Sequence, residues 1–81
     1  MDKPRVDAHI VGRDYIGNTQ YIALVVDAYG QTFAWFVWEL PPIAALDVHG
    51  TEHARGHADS FTDAEAKAKE SLVQVTQAKR L

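Results

Sequence analysis

Apolar and polar positions change period along this chain, and the changes mark its elements. Val6, Ala8 and Ile10 alternate with more polar neighbours, the period of a strand with one buried face. This predicts a first strand over 6–11, ended by Gly12. Residues 12–20 (GRDYIGNTQ) are rich in turn formers and read as a loop, with a bulged extension of strand at Tyr15-Ile16. Two runs rich in β-branched and aromatic residues follow and predict strands over 20–27 and 31–39. Between them, Ala28-Tyr29-Gly30-Gln31 supplies a glycine for the positive φ of a tight turn, so the pair reads as a hairpin.

Pro41-Pro42 ends that pairing, because proline cannot donate to a ladder. Residues 43–48 read as a linker, with one short helical turn started by Pro42. Residues 51–59 alternate again, and Gly50 and Gly56 argue against a helix there, so an edge strand is expected. Glu52, Ala54, Gly56 and Ala58 then point one way, and Thr51, His53, Arg55, His57 and Asp59 the other. The first set is mostly small and would let a helix approach closely.

From Thr62 the period becomes helical. Ala64, Ala68, Leu72 and Val75 recur at the spacing of a buried stripe. Thr62 and Glu65 match a capping box, with Phe61 placed to staple against Ala66. Asp63–Lys67 and Glu65–Lys69 are spaced as i,i+4 pairs, and Lys79-Arg80 suit the negative end of the helix dipole. The expected fold is therefore α+β: a small antiparallel sheet of three to four strands under one C-terminal helix over about 62–79, forming a single domain over 1–81.

Composition narrows the function classes. At 81 residues the chain buries only about 60–65% of the surface its unfolded form exposes, which leaves one modest core. It has no cysteine, which excludes disulfides, thiolate metal sites and cysteine nucleophiles. The net charge is −3, and four of the eight cationic residues lie on the expected helix, so the basic footprint of a duplex-binding protein is missing. The N-terminal residues Met1 to Arg5 lack the apolar core of a signal peptide. The apolar run from Tyr21 to Leu40 is interrupted by Asp27, Gly30, Gln31 and Thr32 and does not read as a membrane span. A cytoplasmic protein of bacterial type, with no membrane role, is the expectation.

Two features invite a functional reading. His49, His53 and His57 recur every four residues, a spacing that gathers imidazoles on a helix. On a strand they share a face but spread over about 13 Å each way, too far for one ion. Expected metal ligands are none, and the histidines read as a polar edge that resists strand-on-strand association. The second feature is aromatic: strand 31–39 carries Phe33, Trp35 and Val37 on one side and Phe36 and Trp38 on the other. A sheet with one wet face alternates apolar and polar, and this strand is apolar on both sides. One side packs under the helix; the other needs a second cover. That cover is the Leu40–Val48 linker folded back, a partner subunit, or a ligand or stacked bases. Phe33, Trp35, Phe36 and Trp38 are thus the candidate interaction residues, and the sequence leaves open which side the helix takes.

Catalysis has little behind it. Asp7, Asp27, Glu39, Glu52 and Asp59 have no fixed spacing to a histidine, and Ser60 and Ser71 lack a glycine-flanked elbow. No phosphate loop or dinucleotide fingerprint occurs. No catalytic residue and no cofactor is expected.

The helix opening Thr62, Glu65 and Ala66, after a hairpin beginning near Tyr21, resembles the partial double-stranded-RNA-binding-like fold of HicB-type antitoxins over roughly Tyr21 to Val73. That resemblance implies a three-stranded sheet with one helix, self-association, and binding to a small toxin RNase. The chain departs from the family in lacking a Pro-Gly-Cys stretch before the third strand, where only Leu40-Pro41-Pro42 stands nearby, and an appended DNA-binding segment. The expected function is a non-catalytic module that binds a protein partner or a second copy of itself. A nucleic-acid-binding or toxin–antitoxin-related regulatory domain is the alternative.

Overall fold

The computed structural model describes residues 6–28, 32–40 and 50–81, together with the side chains of all of these except residues 6, 7 and 28. Four strands and one helix follow in order: β1 (Val6–Ile16), β2 (Thr19–Ala28), β3 (Thr32–Leu40), β4 (Thr51–Ala58) and α1 (Phe61–Arg80). The strands form one antiparallel sheet in the order β1-β2-β3-β4, so sequence neighbours are always sheet neighbours. This is the α+β arrangement expected from the alternating runs and the helical stripe. The expected turn at Tyr29-Gly30-Gln31 and the linker after Pro41 lie outside the described residues.

β1 runs past Gly12 to Ile16, where a loop over 12–20 with a strand extension only at Tyr15-Ile16 was expected. The turn is only Gly17-Asn18, and Gly17 has φ +60°, the left-handed value that primed hairpin turns need. Gly12 stays in the strand because it lies under the helix: a Cβ there would come within 3.2 Å of Leu72 Cδ2. A bulge between Ile10 and Gly12 shifts the register, and Val11 is the extra residue.

A second bulge, between Val37 and Trp38, makes His53 the extra residue of β4. It corrects the expected faces of that strand. Ala54, Gly56 and Ala58 pair with Val37, Trp35 and Phe33 on the helix side. Glu52 instead pairs with Trp38 on the opposite side. Close approach at Gly56 serves the sheet itself, because Trp35 lies over it across the strands: a Cβ on Gly56 would sit 2.6 Å from the indole.

The helix starts two residues earlier than its capping box suggested. Ser60 is the N-cap, accepting from the Asp63 amide at 3.1 Å, which places Thr62 inside the first turn and Glu65 beyond it. Phe61 is accordingly the first helical residue. Its ring meets His9 and Phe33 edge-on, with centroids 5.4 and 6.1 Å away. Of the spaced ion pairs, Glu65–Lys69 closes at 3.4 Å.

Ala64, Ala68, Leu72 and Thr76 form the buried stripe, with Thr76 in the last place where Val75 was expected. Val75 packs at the edge of the core instead. The buried hydroxyl is satisfied by donating to the Leu72 carbonyl at 2.9 Å. Opposite the stripe lie Tyr21, Ala23, Val25, Val37 and Ala58, all buried. Val11, Ile16, Phe33, Trp35, Phe61 and Val75 pack around them. This core is rich in alanine, so the helix sits close to the sheet and few large side chains are fully enclosed. The Cα framework measures 43 × 29 × 14 Å, and its short dimension has the depth of one helix layer on one sheet.

Candidate interaction face

Strand register sorts every described residue of the sheet onto one of two faces. Helix-facing rows cross the sheet as His9–Val25–Trp35–Gly56 and Gly12–Ala23–Val37–Ala54. Rows on the other face cross as Ile10–Leu24–Phe36–Arg55 and Arg13–Ile22–Trp38–Glu52, with Ala8–Val26–Ala34–His57 beside them. Four of these side chains from the two central strands, Ile22, Leu24, Phe36 and Trp38, make a contiguous apolar block. The helix contacts all four strands from its own side, and among the described residues no element lies over the block.

The four candidate aromatics therefore do not share a surface. Phe33 and Trp35 belong to the helix side, Phe33 against Phe61 and Trp35 over Gly56. Phe36 and Trp38 are brought together on the open side and are half-buried, as are Leu24, Val26 and Leu40. Ile22 is already only 7% exposed, whereas Ile10 is 47% and Tyr15 56% exposed along the β1 border. Gly50 lies against this face too, since a Cβ there would come within 2.5 Å of the Trp38 ring. Charged residues flank the apolar block. Arg13 stands exposed on the β1 side, and Glu52 and Arg55 are joined at 3.5 Å on the β4 side.

The histidines separate as well. The β4 bulge carries His53 to the helix side, where Nε2 is 2.8 Å from Glu39 Oε1 and the ring leans on Tyr21 at 6.0 Å. His57 pairs with Ala34 on the open face and is exposed, and His49 lies outside the described residues. Even spacing along a strand keeps side chains on one face only while no residue is inserted between them. Among the described residues no group of three His, Asp or Glu side chains is placed to hold a metal ion.

Sequence reasoning missed the polar staple that results. Tyr21 is buried, and its phenol pKa is raised, first by burial and then by the charge of Glu39 and a hydrogen bond to that carboxylate. Glu39 thus joins Tyr21 of β2 and His53 of β4 across β3. The contacts tie the three strands together, and no cavity opens beside them among the described residues. A second staple lies at the far end of the helix. Arg80 donates to Asp14 Oδ1 at 3.0 Å and to the Tyr15 carbonyl at 3.2 Å, while Asp14 accepts from the Tyr15 amide at 2.8 Å. The Arg80 guanidinium, more than the Tyr15 amide, holds the Asp14 carboxyl below its ordinary range.

Comparison with family models, curated proteins and solved structures finds no match for this chain. Nothing in those comparisons bears on the resemblance at Thr62 to Ala66. No helix among the described residues is long and apolar enough to cross a membrane.

Proposed function

We propose that this chain is a non-catalytic interaction module that binds a protein surface through the sheet face opposite its helix. The observation that carries this reading is the apolar block of Ile22, Leu24, Phe36 and Trp38, which is contiguous in register and flanked by charged residues. An apolar centre with a polar rim is the anatomy of a protein–protein interface. Aromatic anchors at the middle of such a patch carry most of its binding energy.

A nucleic-acid-binding role has less support on the same face. Among the described residues its cations are Arg13 and Arg55, and Arg55 is already engaged by Glu52. Stacking platforms for single strands combine aromatics with a basic groove.

The test separates an interface from a core. Leu24→Lys places a charge in the middle of the face on a central strand. If the face is an external surface, the chain stays folded with the loss of at most about half of a buried leucine's 1.5–3 kcal/mol, since Leu24 is half-buried, and association is lost. Loss of the folded state in Leu24→Lys contradicts the reading, because it makes the face part of the core.

A further inference from the structure

We infer that the surface bound by this face is a second copy of the chain, related by a two-fold axis that runs along the strands between β2 and β3. The inference rests on the interaction reading above and adds the partner and its geometry. Rotation about such an axis turns the sheet over, so each cross-strand row meets the same row of the partner in reverse order. The row Arg13–Ile22–Trp38–Glu52 then sets Arg13 against the partner's Glu52 and Ile22 against the partner's Trp38. In the next row Leu24 meets the partner's Phe36. Aliphatic side chains of β2 thus face aromatic ones of β3, so large meets medium throughout the central block.

Charge decides between this axis and its alternative. Arg13 has no ion-pair partner among the described residues and stands exposed at the rim of the apolar face, where a carboxylate from a partner would fix the register of docking. The chosen axis gives it a carboxylate twice over, once in each direction, as an isologous interface must. The same axis sets Arg55 against the partner's Ile10, but Arg55 keeps Glu52 of its own chain. An axis at right angles to the strands, between the two rows, gives the partner's Glu52 to Arg55 instead and leaves Arg13 against the partner's Ile10 with no carboxylate. It also stacks the β3 aromatics of both copies on one another.

The size of the face fits a weak dimer. Four strands spaced about 4.8 Å apart and about eight residues long cover roughly 500 Å² of projected sheet in each copy. Roughly 1,000 Å² for the pair lies at the low end of specific interfaces, the range of weak and transient contacts. Two aligned sheets pack with their strands about 30° apart, a rotation that the long Arg13 side chain spans at the rim.

The experiment measures molar mass by light scattering across concentration for wild type, Arg13→Glu, Glu52→Arg and the double reversal, with a melting curve confirming that each folds. Wild type shifts from monomer to dimer as concentration rises. Each single reversal weakens the dimer about tenfold, because symmetry repeats the lost pair and the new repulsion. The double reversal binds more tightly than either single reversal, since both pairs between the copies re-form with their signs exchanged, although Arg55 loses Glu52 as its own partner. A double reversal no tighter than the single ones overturns the proposed axis. A strict monomer whose Leu24→Lys variant stays folded overturns the second copy as partner and leaves the interaction reading standing. A strict monomer whose Leu24→Lys variant unfolds overturns both.

Discussion

Gly56→Ala is the substitution whose outcome the packing of this sheet determines most closely. The added Cβ would lie 2.6 Å from Trp35 Cε2 and Cζ2 and 2.7 Å from Nε1. Atoms of an indole cannot be approached so closely, and the ring, partly buried against the helix-side core, has to leave that packing to make room. Overpacking of this kind costs about 1–3 kcal/mol. For a chain of this size each kcal/mol lowers the melting midpoint by about 4–8 °C. Trp35→Phe removes the obstructing ring and also deletes an indole N–H that is buried with no hydrogen-bond partner among the described residues. Relief of that unsatisfied donor, about 1–3 kcal/mol, offsets part of the lost packing. In the Trp35→Phe background alanine at 56 meets no indole. Its smaller unfolded-state entropy then makes Gly56→Ala neutral or stabilising by up to about 1 kcal/mol. Urea denaturation of the four chains, read as a double-mutant cycle, measures the coupling. Equal losses from Gly56→Ala in both backgrounds would refute the claim that the glycine exists to seat Trp35.

Three further expectations concern the helix start and the two polar staples. Ser60→Ala lowers stability by about 1 kcal/mol through loss of the cap, whereas Thr62→Ala changes it by a few tenths, and chemical denaturation ranks them. A larger loss at Thr62 would restore the capping box as the true helix start. The Asp14 carboxyl is held below its ordinary 3.8 by Arg80, so its contribution is present above that value and fades as pH falls through the lower folded-state pKa. The stability difference between wild type and Arg80→Ala therefore narrows in strong acid; a constant difference would show that the contact does not act through ionisation. Tyr21 has its pKa raised above 10.0, so its contribution is full below 10.0 and is lost as pH rises through the folded-state value. The phenolate absorbance that Tyr21→Phe removes appears above pH 10.0, and ionisation at or below it contradicts the burial and the Glu39 contact.

Periodicity made most of this fold legible, and single insertions hid the rest. Alternation in β1, the β-branched and aromatic runs of β2 and β3 and the helical stripe of α1 reflect which side chains leave water, so they survive translation from letters to structure. A bulge has no such signature. At His53 one extra residue exchanges the faces of everything before it, which moved Glu52 to the open side and brought His53 to Glu39. Gly12 looked like the end of a strand because glycine more often marks a turn than a place where a leucine from a helix comes near. Two overlapping caps, Ser60 with Asp63 and Thr62 with Glu65, compete at the start of α1. The earlier one forms, and with it Phe61 meets both His9 and Phe33, contacts between distant segments that no local pattern encodes. On the candidate face, alternation told correctly that Phe36 and Trp38 oppose Phe33 and Trp35. Only the position of the helix told which pair is left outside.

The most direct test of the interaction reading is the accessibility of that outside pair in the dilute chain. A soluble paramagnetic probe, followed by NMR at concentrations too low for association, broadens side-chain signals according to their distance from solvent. Leu24, Val26, Phe36 and Trp38 are expected to broaden well beyond Ala23, Val25 and Val37 on the helix side, and to become protected as concentration rises. Equal protection of both faces in the dilute monomer would contradict the account, because the open face would then be a second core.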